Sequence, residues 1–406
     1  MASNDTTLEL FRYFNYAKNQ RVRIEKLMRI FQVLEGTSNS AVSGSQIWLR
    51  NLYDPLIDLE HEVFFFDAIE GRIAMERHNA DECAVFSQKL LDTFRLENAK
   101  KPFALFFAYL MDGMIEPSVI DEIRKTGVPT CNFSCNNAHQ FENVNDLSSH
   151  FDYNLHSEKD ARSKFLGVGA NPLWWPMAAN PNYYKPKNVE RTVVASFVGA
   201  NYALRAKYIG HLLENEIDVH AFGPSWVGGS TSRLRSFAKR NKLLMLAMVS
   251  PSITQQSSAS GRLADHDFRR LLSSRFPQNV HAPVSDDEMI ALYNRSQISL
   301  GFLEVYENHD PIRPVVQHLH LREFEAPMCG ALYCTGFSEE LAEMFEPDKE
   351  VLIYRNQHEL LDKVRYYLTH PTEADLIRQK GNLRAVKDHT YQHRFKQLFA
   401  LLHLKY

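Results

Sequence analysis

The stretch from Leu321 to Gly336, LREFEAPMCGALYCTG, sets Arg322, Glu323 and Glu325 directly ahead of a Cys-Gly turn and a short apolar run. The spacing predicts a helix that begins at Arg322 and ends at Gly330, then a buried strand. Carboxylates in a first helical turn are stabilised by the macrodipole by about 0.3–1 kcal/mol, which accounts for them without any ligand. A second chemistry fits the same residues: a carboxylate accepts from ribose hydroxyls while the forked guanidinium of Arg322 meets phosphate oxygens. Composition alone does not choose between the two.

Other residues carry weaker signals of the same kind. Strand SFVG delivers Gly199 to a turn ahead of a helix, where backbone N–H groups and the helix N-terminus meet a diphosphate, with Arg205 and Lys207 close by. Gly223 closes the next strand, and Trp226 either lines the same pocket or anchors the segment that follows. For acid–base work, His139 and His156 sit at predicted strand ends, although histidines in such places are commonly satisfied structural residues. The loop EVYENHDPIRP (304–314) holds Glu304, Glu307 and His309, which either contact sugar hydroxyls or form a solvated loop.

Metal chemistry finds little support at this level. Cys131, Cys135 and His139 have four-residue spacings, but they fall on strand and loop and lack a fourth ligand. The triplet from Asp265 to Asp267 precedes a helix rather than ending a strand. No metal is expected.

The elements that must position these residues alternate between strand and helix. KLMRIFQVL (26–34), a Gly/Ser/Asn loop, a helix over IWLRNLYDPLIDLE and strand HEVFFFD (61–67) form an opening βαβ unit. Strand 102–110, helix 116–127 with Pro117 near its start, strands PTCNFSC and 151–157, a helix ending in Gly169, and a strand entering the linker 171–186 continue it. A second series follows: strand TVVASFVGA, a helix, strand IDVHAFG, a helix with a Ser285/Glu288 capping box, strand QISLGFL, the opening stretch, strand EVLIY and C-terminal helices. The pattern predicts an α/β chain of two Rossmann-like units facing across a cleft.

The predicted boundaries are an N-terminal extension 1–25, a first domain 26–186, a second domain 187–385 with a helical insert at about 228–278, and a C-terminal helix 386–406 packing back on the first domain. The insert carries basic helices around a Ser/Gln-rich loop; a basic amphipathic face is usually solvated, and contact with a membrane surface or an acidic acceptor is the alternative.

Composition bounds the function. The 406 residues are 44% hydrophobic and 23% charged with a net charge of -3, a globular composition of about two domains that argues against a dedicated nucleic-acid partner. Five cysteines in no framework spacing fit a reducing compartment. With no signal-peptide core and no run of about 18 apolar residues, a cytoplasmic protein is expected, peripheral to a membrane if the insert binds one.

The residues FVGANYALRAKYIGHLLENEIDVHAFGPSW, and then LREFEAPMCGALYCTG through EVLIY and ELLDKVRYYLTHP, resemble the C-terminal donor domain of GT-B glycosyltransferases of group 1, nearest the spore-maturation (CgeB-like) branch. IWLRNLYDPLIDLEHEVFFFD and LWWPMAANPNYYKP are similar to that branch's N-terminal domain and linker.

The resemblance implies sugar transfer from a nucleoside diphosphate sugar, a UDP-sugar by guess, to an unidentified acceptor, with no metal required. Glu325 matches the second Glu of the E-x7-E motif, expected at the donor ribose; the first falls on Gln317, a departure from the motif. Retention of configuration is the implied outcome. The implied donor set is Gly199, Arg205, Lys207, Gly223, Trp226, Pro283 in VHAPV, Arg322, Glu325 and Gly330, with His139, His156 and Glu304 as catalytic candidates. A GT-B-shaped binding module without catalysis, suggested by Gln317, and a sugar-nucleotide epimerase are the competing readings.

Overall fold

A computed structural model describes residues 27–36, 47–227, 272–307 and 315–404. The predicted N-terminal extension, most of the insert with Asp265 to Asp267, and His309 lie outside the described residues.

The first described element is β1 (Arg29–Leu34), whose residues are all buried except the first. An apolar run of that kind, covered on both faces, is what a central parallel strand requires. A π-helical turn (Leu49–Tyr53) and the short α1 (Asp54–Asp58), with Pro55 in its first turn, carry the chain to β2 (Glu62–Asp67).

The crossover to β3 (Leu105–Ala108) is built from α2 (Ile69–Arg77) and α3 (Ala80–Lys100), helices absent from the sequence-based reading. Asn79 caps α3, its side-chain oxygen accepting from Asp81 N at 3.1 Å and Glu82 N at 3.2 Å. Then come α4 (Pro117–Arg124), β4 (Thr130–Ser134), α5 (Asn137–Gln140), β5 (Tyr153–His156), α6 (Arg162–Gly167) and β6 (Pro172–Trp174). All pairings in this sheet are parallel, in the order β2-β1-β3-β4-β5-β6.

The second sheet uses β7 (Val193–Val198), α7 (Arg205–Glu214), β8 (Val219–Phe222), β9 (Val280–His281), α8 (Asp286–Arg295) and β10 (Ser296–Leu300). Ser285 caps α8 by accepting from Glu288 N at 3.2 Å, but the predicted capping box is half made, since the Glu288 carboxylate pairs with Arg295. An antiparallel hairpin, β11 (Glu304–Tyr306) and β12 (Val315–Gln317), leads to α9 (Arg322–Met328) and β13 (Tyr333–Gly336). The chain finishes with α10 (Glu339–Met344), β14 (Leu352–Tyr354), α11 (Gln357–Thr369), α12 (Pro371–Asp388) and α13 (Tyr391–Leu401).

The strand order here, β14-β13-β10-β7-β8-β9, reverses direction between β7 and β10. In an open parallel sheet the crevice outside the carboxyl ends at such a switch point is where ligands bind. Gly199 and Gly301 occupy those two ends.

The last helix returns to the first sheet. Phe395 of α13 packs on Phe107 and Trp175, with ring centroids 5.3 Å and 5.4 Å away, and the Trp175 indole donates to Arg394 O at 3.0 Å. Among the described residues no helix is long and apolar enough to cross a membrane.

Candidate functional site

At the switch point the backbone itself is shaped for close approach. Gly223 has φ of 147°, and a Cβ there would lie 2.3 Å from Gly199 O, so the turns after β7 and β8 pack backbone to backbone. Two residues of these turns, Ala203 and Ser225, also have positive φ, a strained state that clusters at functional sites. The Trp226 indole donates to Gly199 O at 2.7 Å and is fully buried, which pins the two turns together.

Two guanidiniums enter this corner. Arg205, 1% exposed, donates to Ala200 O at 3.0 Å and to Phe302 O at 3.4 Å, spanning the ends of β7 and β10, and stacks 3.7 Å over the Tyr202 ring. Arg322, at the first position of α9, stands over Phe197 with its Nη2 beside Gly199. Burial, with Arg322 as a further cause, pushes the Arg205 pKa down to about 10, still far above neutrality.

The compensating acids are weakened by the same burial. Glu323, fully buried, accepts from His320 N at 2.5 Å and from the Tyr333 hydroxyl at 2.8 Å, and burial raises its carboxyl pKa against the pull of Arg322. Glu325 is raised by burial to about 7, opposed first by a hydrogen bond from the Tyr184 hydroxyl and then by Arg322. A corner whose two guanidiniums keep their charge while burial raises the pKa of both carboxyls, Glu325 to about 7, attracts anions.

Buried polar atoms here without a partner among the described residues include Arg322 Nη1, Glu325 Oε1 and the Tyr293 hydroxyl. They belong to residues that are mutually coupled through their charges. Buried polar groups in folded proteins are nearly always paired, so orphans gathered in one place call for an explanation.

A second cluster lies where the two domains meet. Glu158, just past β5, bonds His318 Nδ1, and the His139 ring of α5 lies tilted against His318 with ring centroids 4.9 Å apart. His318 in turn lies 4.5 Å from the ring of His320, which accepts from Arg205 Nη2 at 3.0 Å. Burial alone would raise the Glu158 carboxyl pKa; His318 and then His139 hold it low. Nearby, Glu340 joins the domains by accepting from Lys159 N at 3.2 Å and from the Trp174 indole at 2.7 Å.

The fold thus brings Gly199, Arg205, Gly223, Trp226, Arg322 and Glu325 to one corner, with His139 at the adjoining seam. It places others apart. His156 is buried against Phe165, its Nδ1 bonded to Glu158 O at 2.9 Å, and burial lowers its pKa to about 4. Lys207 and Pro283 are exposed on α7 and in the loop before α8. Gly330, with φ of 71°, ends α9, and its carbonyl accepts from Arg191 Nη2 at 2.9 Å, a capping role.

Glu304 takes a bond from the Tyr208 hydroxyl at 3.1 Å, leaving Oε2 without a partner among the described residues. Cys131 is buried within β4, and Cys135 contacts the Tyr109 hydroxyl at 3.1 Å. Sequence reading missed Glu158, Tyr184, Tyr293, His318 and His320; the alternating HLH just ahead of LREFE was the available signal for the last two.

Two parallel Rossmann-like sheets, one per domain, meeting at a seam are the GT-B arrangement. Residues 211–400 match the family described as glycosyl transferase-like, and the fold is that of GT-B glycosyltransferases.

The solved structures it is similar to include sucrose-phosphate synthase from Thermosynechococcus elongatus (13% identity, 93% of this chain and 99% of that one, TM-score 0.57). HepE from Anabaena, in complex with UDP-glucose, aligns at 10% identity over 93% and 99% of the chains, with TM-score 0.58. A glycosyltransferase from Rickettsia africae gives 10%, 93%, 98% and 0.57. No curated protein matches in sequence.

Proposed function

We propose that this enzyme transfers a sugar from a nucleoside diphosphate sugar, a UDP-sugar in the first instance, to a hydroxyl-bearing acceptor. The observation that carries the reading is the set of orphaned atoms on Arg322, Glu325 and Tyr293, with Arg322 Nη2 beside Gly199. HepE, a fold neighbour solved with UDP-glucose, adds support for the donor class.

In this reading Arg322 and Arg205 face the diphosphate, and Glu325 accepts from the ribose hydroxyls. The bond from the anomeric carbon to the diphosphate breaks with its electron pair passing to the β-phosphoryl oxygen. The acceptor oxygen bonds to the anomeric carbon, and its proton passes to the leaving diphosphate. Positioned guanidiniums stabilise the charge that develops on the leaving oxygen, so no metal is assigned to that step. The R-x-F-E-A stretch and Glu325 are the support for placement in the CgeB-like branch and for retention of configuration.

Gln317 stands where the motif has its first Glu, and its side chain donates to Phe337 O at 2.7 Å. Its direct cross-strand partner in the hairpin is Glu304. We assign to Glu304, through Oε2, the donor-sugar hydroxyl contact that Gln317 does not make.

A panel of sugar nucleotides screened by thermal shift, followed by measurement of nucleoside diphosphate release, tests the reading. A stabilising donor that is also cleaved supports transfer, with Arg322→Ala abolishing cleavage. Stabilisation with no release marks a binding module, and interconversion of the donor without acceptor marks an epimerase. No stabilisation by any sugar nucleotide overturns the donor assignment.

A further inference from the structure

We propose that His139, Glu158 and His318 form a zinc-class divalent metal site that ties the two domains together across the seam. Among the described residues they are the one group of three or more His, Cys, Asp or Glu side chains whose ligand atoms converge, all within 4.8 Å of one another. The three residues are 1%, 3% and 5% exposed, unlike the scattered surface acids that mimic metal sites.

Each ligand comes from a different segment: α5 and the turn after β5 in the first domain, and the turn after β12 in the second. Two imidazoles and one carboxylate are a donor set suited to Zn(II), and three protein ligands leave a fourth position for water or a substrate oxygen.

The surroundings hold the ligands in place, as metal sites require of their supporting groups. Ala138 N donates to Glu158 Oε2 at 3.3 Å, while Lys164 Nζ fixes the Ala138 carbonyl at 2.7 Å. On the other side His318 N donates to Leu303 O at 2.8 Å. An ion bound here would join side chains of both domains and so close the cleft. The site adjoins the corner of Arg205 and Arg322 through His320 but uses none of its residues as ligands, so the inference stands whether or not the donor reading holds.

The test uses the full chain, freed of any affinity tag and of metal by chelation, with no nucleotide present. Calorimetric titration with ZnCl2 is expected to show uptake of one zinc per chain and a rise in melting temperature. Co(II) in its place is expected to give visible absorption bands of a tetrahedral site. His318→Ala and Glu158→Gln are each expected to weaken zinc binding by about 100-fold or more and to abolish the melting shift.

Because either substitution also removes a bond across the seam, the cobalt spectrum of the unaltered chain stands as an independent reading. A folded wild-type protein that takes up no zinc overturns the proposal, as does uptake that both variants leave unchanged, which would place the ion elsewhere.

Discussion

Arg205 and Arg322, carried by two different helices, converge on one backbone carbon: a Cβ on Gly199 would lie 2.8 Å from Arg322 Nη2 and 3.3 Å from Arg205 Nη1. Two guanidiniums so close and so deeply buried repel each other, and their remaining counter-charges are carboxyls that burial itself weakens. An anion between them relieves that repulsion. Arg322→Ala is therefore expected to slow nucleoside diphosphate release by about 10²–10³-fold while leaving the melting temperature within a few degrees. A rate within twofold of wild type in steady-state assays would remove Arg322 from its assigned role.

Gly199→Ala acts on the same corner from the backbone side. Its methyl would meet Arg322 Nη2 and Phe197 Cζ, each at 2.8 Å. Overpacking of this kind costs about 1–3 kcal/mol, and the guanidinium must swing away to admit it. Affinity for the free nucleoside diphosphate, measured by calorimetry, is expected to fall about tenfold or more. Unchanged affinity would show that the position of Arg322 does not govern phosphate binding.

Glu325 sets a pH dependence whose sign follows from linkage. Its carboxyl moves from 4.5 to about 7 on folding, so the folded state holds the proton more tightly than the unfolded chain. Stability is then lost as pH rises between those values, by about 3 kcal/mol in all. Glu325→Gln removes the titration and should flatten the curve of unfolding free energy over that range. A ribose hydroxyl donating to the carboxylate favours the ionised form, so the stabilisation by bound nucleotide should be larger above pH 7 than below it in the wild type alone. Parallel denaturation curves for the two proteins at pH 5 and 8 would refute the assignment.

Much of this architecture is written locally. Runs such as LFFA are apolar without alternation, as strands buried on both faces must be, and Ser285 by capping and Pro117 by its fixed φ mark helix starts. Arg322 and Glu325 were legible for the same reason, since a charged triplet before an apolar run is locally odd.

Glu158 was not, because it looks ordinary in its own segment and acquires meaning when the domains close on each other, and the HLH run holding His318 gave a signal only beside it. Glu323 shows the opposite error. Its first-turn position suggests a macrodipole role, yet it is wholly buried and serves as a counter-charge beside Arg322. Helices α2 and α3 escaped notice because their polar content hides the apolar stripe of Phe86, Leu90 and Phe94.

The turn after β8 offers a sharper stability test. Gly223 combines φ of 147° with a Cβ position 2.3 Å from Gly199 O, so both strain and backbone overlap oppose any side chain. Gly223→Ala is expected to cost about 2–4 kcal/mol in chemical denaturation. A loss below about 0.5 kcal/mol would mean the two turns can separate freely.

The last helix links the stability of the first domain to residues at the far end of the chain. Phe395 is fully buried among Phe107, Trp175 and Phe399, and neighbouring Arg394 donates through Nε to Pro176 O at 3.0 Å. Phe395→Ala leaves a cavity under the first sheet and should cost about 3–5 kcal/mol. The loss belongs to the N-terminal domain although the substitution lies within residues 211–400, the span of the glycosyl transferase-like match. Hydrogen exchange separates the two: faster exchange is expected in β3 and β4, with β7 and β10 keeping their protection. Exchange that quickens first in β7 and β10 would instead make α13 a support of the second domain.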